Sequence, residues 1–173
     1  MGMDSYGQKT FRDGEIVFTE GDPALQTYLI KAGRVRLWKA DGDRAVEIDV
    51  IGAGQVFGEM AVISDQPRMA SATAVGEVNC ISINQMELHR RLGELTDQQK
   101  SALNFLIQYC REFLPFELHE NRPTDADTLR RDKIARKLVS QKEQPPVTKK
   151  TDSILSGLYQ ALITYAERRL PPQ

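Results

Sequence analysis

Between residues 8 and 83 apolar and polar positions alternate along the chain, and after Asn84 the alternation stops. In residues 33–40, GRVRLWKA, Val35 and Leu37 fall on one side and Arg34 and Arg36 on the other. In residues 44–52, Val46, Ile48 and Val50 alternate with Glu47 and Asp49. In residues 69–75, Ala70, Ala72 and Ala74 alternate with Ser71 and Thr73. A period of two sends successive side chains to opposite faces of a strand. Glycines at positions 14, 21, 33, 42, 52, 54, 58 and 76 interrupt these runs at short intervals. Short alternating runs with frequent turns predict an antiparallel β roll or jelly roll. The sequence ADGDR, residues 40–44, is its clearest hairpin turn, because Asp-Gly tolerates positive φ.

Beyond Asn84 the spacing becomes helical. Residues 85–92, QMELHRRL, read as a short helix. Thr96, followed three residues later by Gln99, resembles a capping box and opens a longer one. Leu103, Leu106, Ile107, Cys110, Phe113 and Leu114 recur at threes and fours on one face, and Pro115 stops or kinks that helix. A further helix starts at Thr124 or Asp125, with Ala126, Leu129, Ile134, Leu138 and Val139 as its expected inner side. Residues 141–150, QKEQPPVTKK, read as a proline-broken connector, and residues 151–170 as a last, largely apolar helix. The expected class is mainly β with α. Residues 1–95 form the β roll with a short helix, 96–119 a long hinge, lid or dimer helix, and 120–173 a helical extension.

Composition narrows the function classes. The 173 residues carry a formal net charge of −1, so no whole-chain field favours nucleic acid or anionic lipid. No apolar run approaches a membrane span, and the first residues lack the apolar core of a secretory signal. Cys80 and Cys110 are isolated in apolar surroundings and read as buried thiols, which suits a reducing cytoplasm. His89 and His119 have no ligand-like spacing, so no metal site is expected. No GxSxG, P-loop or kinase signature points to an enzyme.

The segment FGEMAVISDQPRMASATA, residues 57–74, carries the most chemistry. Gly58 permits close approach to the backbone at the start of a short apolar helix, where unpaired N–H groups favour an anion. Arg68 adds a planar, permanently charged fork suited to phosphate oxygens. Glu59 would repel a phosphate, so it is better explained by a sugar hydroxyl. The expected ligand is a small sugar phosphate or nucleotide. The alternative, a purely structural Glu59–Arg68 ion pair, gains little net stability once desolvation is counted.

This stretch closely resembles the phosphate-binding cassette of the cyclic nucleotide-binding domain family. The matching residues run Phe57-Gly58-Glu59-Met60-Ala61-Val62-Ile63, then Pro67-Arg68-Met69-Ala70-Ser71. FRDGEIVFTEGD, YLIKAGRVRLW and IGAGQVFGE resemble the family's upstream landmarks, so the likeness covers about residues 8 to 93. The resemblance implies cAMP or cGMP as a regulatory ligand. It implies Glu59 as acceptor for the ribose 2′-OH and Arg68 as partner of the cyclic phosphate. Backbone N–H groups near Gly58, Met60, Ala61 and Ala70 would complete the cradle. Ser71 holds a position that in some members touches the base, and Met69 is bulkier than the residue common there. Phe105, Tyr109 or Phe113 would supply a lid over the base.

Three outputs follow. The favoured one is a cytoplasmic, non-enzymatic sensor whose C-terminal helices move on binding and control a protein partner or a homodimer. Ile154, Leu155, Leu158, Tyr159, Leu162 and Tyr165 either form that partner face or pack back on the chain. The second is a Crp/Fnr-like transcription regulator. The basic C-terminal part suits it, but the best helix-turn-helix register puts Asp152 and Ser156 at core positions, so nucleic acid is not expected as a partner. The third is a vestigial domain that has lost its ligand.

Overall fold

The computed structural model describes residues 6–113, 125–140 and 153–171. The chain divides into two compact units, Met1–Gly93 and Glu94–Gln173.

In the first unit the strands are β1 (Tyr6–Phe11), β2 (Ile16–Phe18), β3 (Gln26–Asp41), β4 (Arg44–Gly52), β5 (Val56–Phe57) and β6 (Ser71–Asn84). All pairings are antiparallel, in the order β1-β6-β3-β4, with β2 also on β6 and β5 on β3. This is the antiparallel β roll that the alternation predicts. The Asp41↔Arg44 pair closes a two-residue hairpin in which Gly42 takes a φ of 58°. The strands are longer than the glycine spacing suggests, because β3 runs through Gly33 and β6 through Gly76. At Gly33 the β3–β6 register shifts and φ is 89°. A Cβ there would overlap the Glu77 carbonyl oxygen, so this glycine marks a bulge that bends the strand rather than a turn that ends it.

Inward positions of the long strands make the core, among them Ile30, Val35, Ala72, Val78 and Ile83, all without exposed surface. Phe57 at the end of β5 stacks on Tyr28 at 5.2 Å and on Phe18 at 5.9 Å, which joins three strands in one aromatic layer. Thr27 donates its hydroxyl to the Phe57 carbonyl at 2.8 Å and fixes the point where β5 gives way to α1 (Glu59–Ile63). After β6, α2 (Gln85–Gly93) is capped by Asn84, whose side chain accepts the Glu87 N–H at 2.8 Å.

The second unit holds α3 (Asp97–Phe113), α4 (Ala126–Ser140) and α5 (Ser153–Arg169). Thr96 and Gln99 form the reciprocal capping box, at 3.3 and 2.9 Å. Leu103, Leu106, Ile107 and Cys110 are buried as the periodicity requires. The Phe113 side chain, Leu114, Pro115 and the 141–150 connector lie outside the described residues. Asp125 caps α4 by accepting the Thr128 N–H at 2.8 Å.

The inner side of α4 differs from the expectation. Thr128, Asp132, Ala135 and Val139 are buried, whereas Leu129 is 59% and Ile134 40% exposed. The reason is a buried aspartate: Tyr109 of α3 donates its hydroxyl to Asp132 at 2.7 Å, and that bond turns the polar residue inward. Tyr109→Phe should therefore lower the stability of the helical unit by about 1–2 kcal/mol, read as an earlier urea midpoint.

α5 packs on α3 and α4, and Ile154, Leu155, Leu158, Tyr159, Leu162 and Tyr165 are all buried. The six residues are thus core of the helical unit and offer no open partner face. Among the described residues no helix is long and apolar enough to cross a membrane.

Candidate functional site

The site is built where β5 ends. Gly58 caps α1 with φ 75° and ψ 7°, a left-handed conformation that suits glycine. Its missing side chain also has a steric purpose. A Cβ would come within 2.6 Å of Arg68 Nη1 and 3.1 Å of Phe18 Cε1. α1 is only five residues long, so it offers backbone N–H groups but little helix dipole.

Arg68 reaches back toward Gly58 from the loop before β6. Its backbone is clasped by the turn between β2 and β3. The Gly21 N–H donates to the Arg68 carbonyl and the Arg68 N–H to the Asp22 carbonyl, both at 2.9 Å. The Glu20 N–H donates to the Ser71 hydroxyl oxygen at 2.9 Å. The side chain lies over the Phe18 ring at 4.1 Å, a cation–π contact. Nη1 donates to the Gly58 carbonyl at 2.6 Å and Nη2 to the Gln26 carbonyl at 2.5 Å, while among the described residues Nε has no partner.

Glu59 is 1% exposed, and among the described residues its Oε1 has no hydrogen-bond partner. Burial pushes its carboxyl up to about 7, against the smaller opposing pulls of its own backbone N–H and the Arg68 guanidinium. Burial likewise lowers the proton affinity of Arg68, opposed by Tyr28, Glu59 and Asp22. Among the described residues the two side chains form no ion pair with each other, and Arg68 binds carbonyls instead. The structural ion pair is therefore not what places them here.

Gly58, Glu59 and Arg68 thus come together. Phe57 belongs to the aromatic layer, Ala61 is buried, and Met60, Met69 and Ala70 are half-buried. Ser71 is buried, with its hydroxyl on the turn backbone. Tyr109 has no exposed surface and is bonded to Asp132, so it is core of the helical unit and not a free lid. Phe105 stacks on it at 6.0 Å. Phe18, Asp22 and Gln26 are additions to the sequence reading. Phe18 looks like any strand residue in the pattern, Gln26 acts through its carbonyl oxygen, which every residue has, and Asp22 through its carbonyl oxygen and its negative charge.

The family model for the cyclic nucleotide-binding domain matches residues 8–94, half of the chain. The chain belongs to the cyclic nucleotide-binding domain family. The cAMP-dependent protein kinase type II regulatory subunit of Drosophila melanogaster is 35% identical over 89 residues, covering 51% of this chain and 24% of its own length. The CRP-like cAMP-activated global transcriptional regulator of Mycobacterium tuberculosis (strain ATCC 25618 / H37Rv) is 28% identical over 102 residues, covering 58% of this chain and 46% of its own length. The match spans less than half of either relative. The cAMP-bound structure of the EAL enzyme Bd1971 aligns with a TM-score of 0.59 at 23% identity, over 79% of this chain and 34% of that one. That likeness supports the cyclic nucleotide-binding fold.

Proposed function

We propose that this chain is a non-enzymatic regulatory module that binds a 3′,5′-cyclic nucleotide, cAMP or cGMP, at the cluster of Gly58, Glu59 and Arg68. One observation carries the reading: a buried carboxylate and a buried guanidinium sit at the same glycine, each with an unpartnered polar atom. Leaving such atoms unpaired costs about 1–3 kcal/mol each, more where charge is involved. A ligand with an anionic acceptor and a free hydroxyl would satisfy both. Relatives described as cAMP-dependent and cAMP-activated support that ligand class.

In this reading Arg68 faces the cyclic phosphate and Glu59 the ribose 2′-OH, and backbone N–H groups near Gly58, Met60, Ala61 and Ala70 complete the cradle. The output is a shift of the helices beyond the roll, acting on a protein partner or a second copy in the cytoplasm. Direct DNA reading has less support, because α5 has its apolar side chains buried in the helical unit.

Calorimetry with cAMP, cGMP and 5′-AMP tests the proposal. A cyclic form should bind and 5′-AMP should not, since a phosphate monoester carries a charge of about −1.5 to −2 against a lone guanidinium. Glu59→Ala and Arg68→Ala should each weaken binding at least about tenfold, or ~1.4 kcal/mol. No heat from either cyclic nucleotide would sink the reading.

A further inference from the structure

The charge state of Glu59 in the occupied site follows from the charges assembled there, provided the site takes a cyclic nucleotide as proposed above. Arg68 brings one permanent positive charge. A ring-closed phosphodiester brings one negative charge and has no second proton to lose. An ionised Glu59 would leave that group of charges net negative around a side chain 1% exposed. A protonated Glu59 leaves it neutral. An uncompensated buried charge costs several kcal/mol, so the neutral set is the stable one.

Among the described residues no cation is paired with Glu59. β3 and α2 pack on α1. β3 presents Tyr28, stacked on Phe57; its Lys31 and Arg34 are exposed, Arg36 is paired with Glu47 at 3.4 Å and Lys39 with Glu20 at 3.1 Å. On α2, His89 reaches the Val62 carbonyl at 3.3 Å, and Glu87 holds both Arg90 and Arg91 at 2.8 Å. In the loop before β6, Asp65 is exposed and accepts from Gln85. On the turn between β2 and β3, Asp22 draws on the charge of Arg68. Arg68 itself donates to the Gly58 and Gln26 carbonyls and not to Glu59. Among the described residues Oε1 of Glu59 has no hydrogen-bond partner, although the side chain is 1% exposed.

We propose that Glu59 meets the ligand as a carboxylic acid, donating its proton to the ribose hydroxyl oxygen, so that nucleotide binding takes up a proton near neutral pH. Burial already pushes the free carboxyl up to about 7. A phosphate placed on Arg68 adds negative charge beside Glu59 and raises its proton affinity further. Affinity is then greatest below that value and falls above it, by at most about tenfold per pH unit for one proton.

The test is calorimetry of the full chain with cAMP, and with cGMP in parallel, between about pH 6 and about pH 8.5 in buffers of low and high ionisation enthalpy. Binding should be at least about tenfold weaker at the alkaline end, with roughly half to three-quarters of a proton taken up near pH 7.5. In Glu59→Gln the pH dependence should vanish, whatever affinity remains. Proton release, a flat affinity, or a pH dependence that persists in Glu59→Gln would overturn the inference and leave the binding site intact. Absence of heat from both nucleotides at every pH would overturn the functional reading itself, and this inference with it.

Discussion

Arg68→Ala is expected to melt about 10–20 °C below the parent protein and to lose its response to cyclic nucleotide. The stability loss comes from what the side chain holds. Its two Nη groups bond the Gly58 and Gln26 carbonyls, and its plane covers Phe18. Truncation strands both carbonyls and uncovers the ring, at a cost of about 2–3 kcal/mol after the relief of burying a cation is subtracted. The binding loss has a separate origin, a charge-assisted bond to phosphate of about 1.5–3 kcal/mol, or roughly 10- to 150-fold. Arg68→Lys separates the two effects. It keeps the charge but cannot serve both carbonyls from one ammonium. It should retain part of the affinity while remaining destabilised, read by thermal melts alongside calorimetry.

Glu59→Gln should do the opposite to the free protein, raising its stability at about pH 8 by about 3 kcal/mol and leaving it almost unchanged near pH 4. Folding lifts this carboxyl from 4.5 to about 7 because the side chain is buried. Between those values the folded chain holds a proton that the unfolded chain has released. Stability therefore declines as pH rises through that window, and the loss is complete above about 7. Glutamine has the shape of the protonated acid and nothing to ionise, so it escapes the decline. Urea melts of both proteins across this range check the sign. A parent protein that gains stability relative to Glu59→Gln as pH rises would show the carboxylate to be compensated.

The β roll was legible because alternation is a local property, visible in any short window of β3, β4 or β6. Gly58, Glu59 and Arg68 stood out in the sequence because each offers chemistry few residue types have, and the structure brings the three together. What escaped the sequence depends on contacts between distant segments. Gly33 looked like a turn because a bulge and a turn ask the same thing of a glycine, and only the nearby Glu77 carbonyl tells them apart. The inner face of α4 was misjudged because hydropathy counts Asp132 as outward, and its partner Tyr109 lies 23 positions away. The apolar wealth of α5 left a partner face and packing within the chain both open, and two neighbouring helices decide for packing.

The clasp between residues 19–22 and residues 68–71 has a wider consequence. Two of its three bonds join main chain to main chain, so the pose of the guanidinium depends on the course of a surface loop more than on that loop's side chains. Inserting or deleting a residue there would tilt Arg68 without altering any group expected to touch the nucleotide. Variation in that loop's length is thus a route by which such a receptor can retune its sensitivity while its binding residues stay the same.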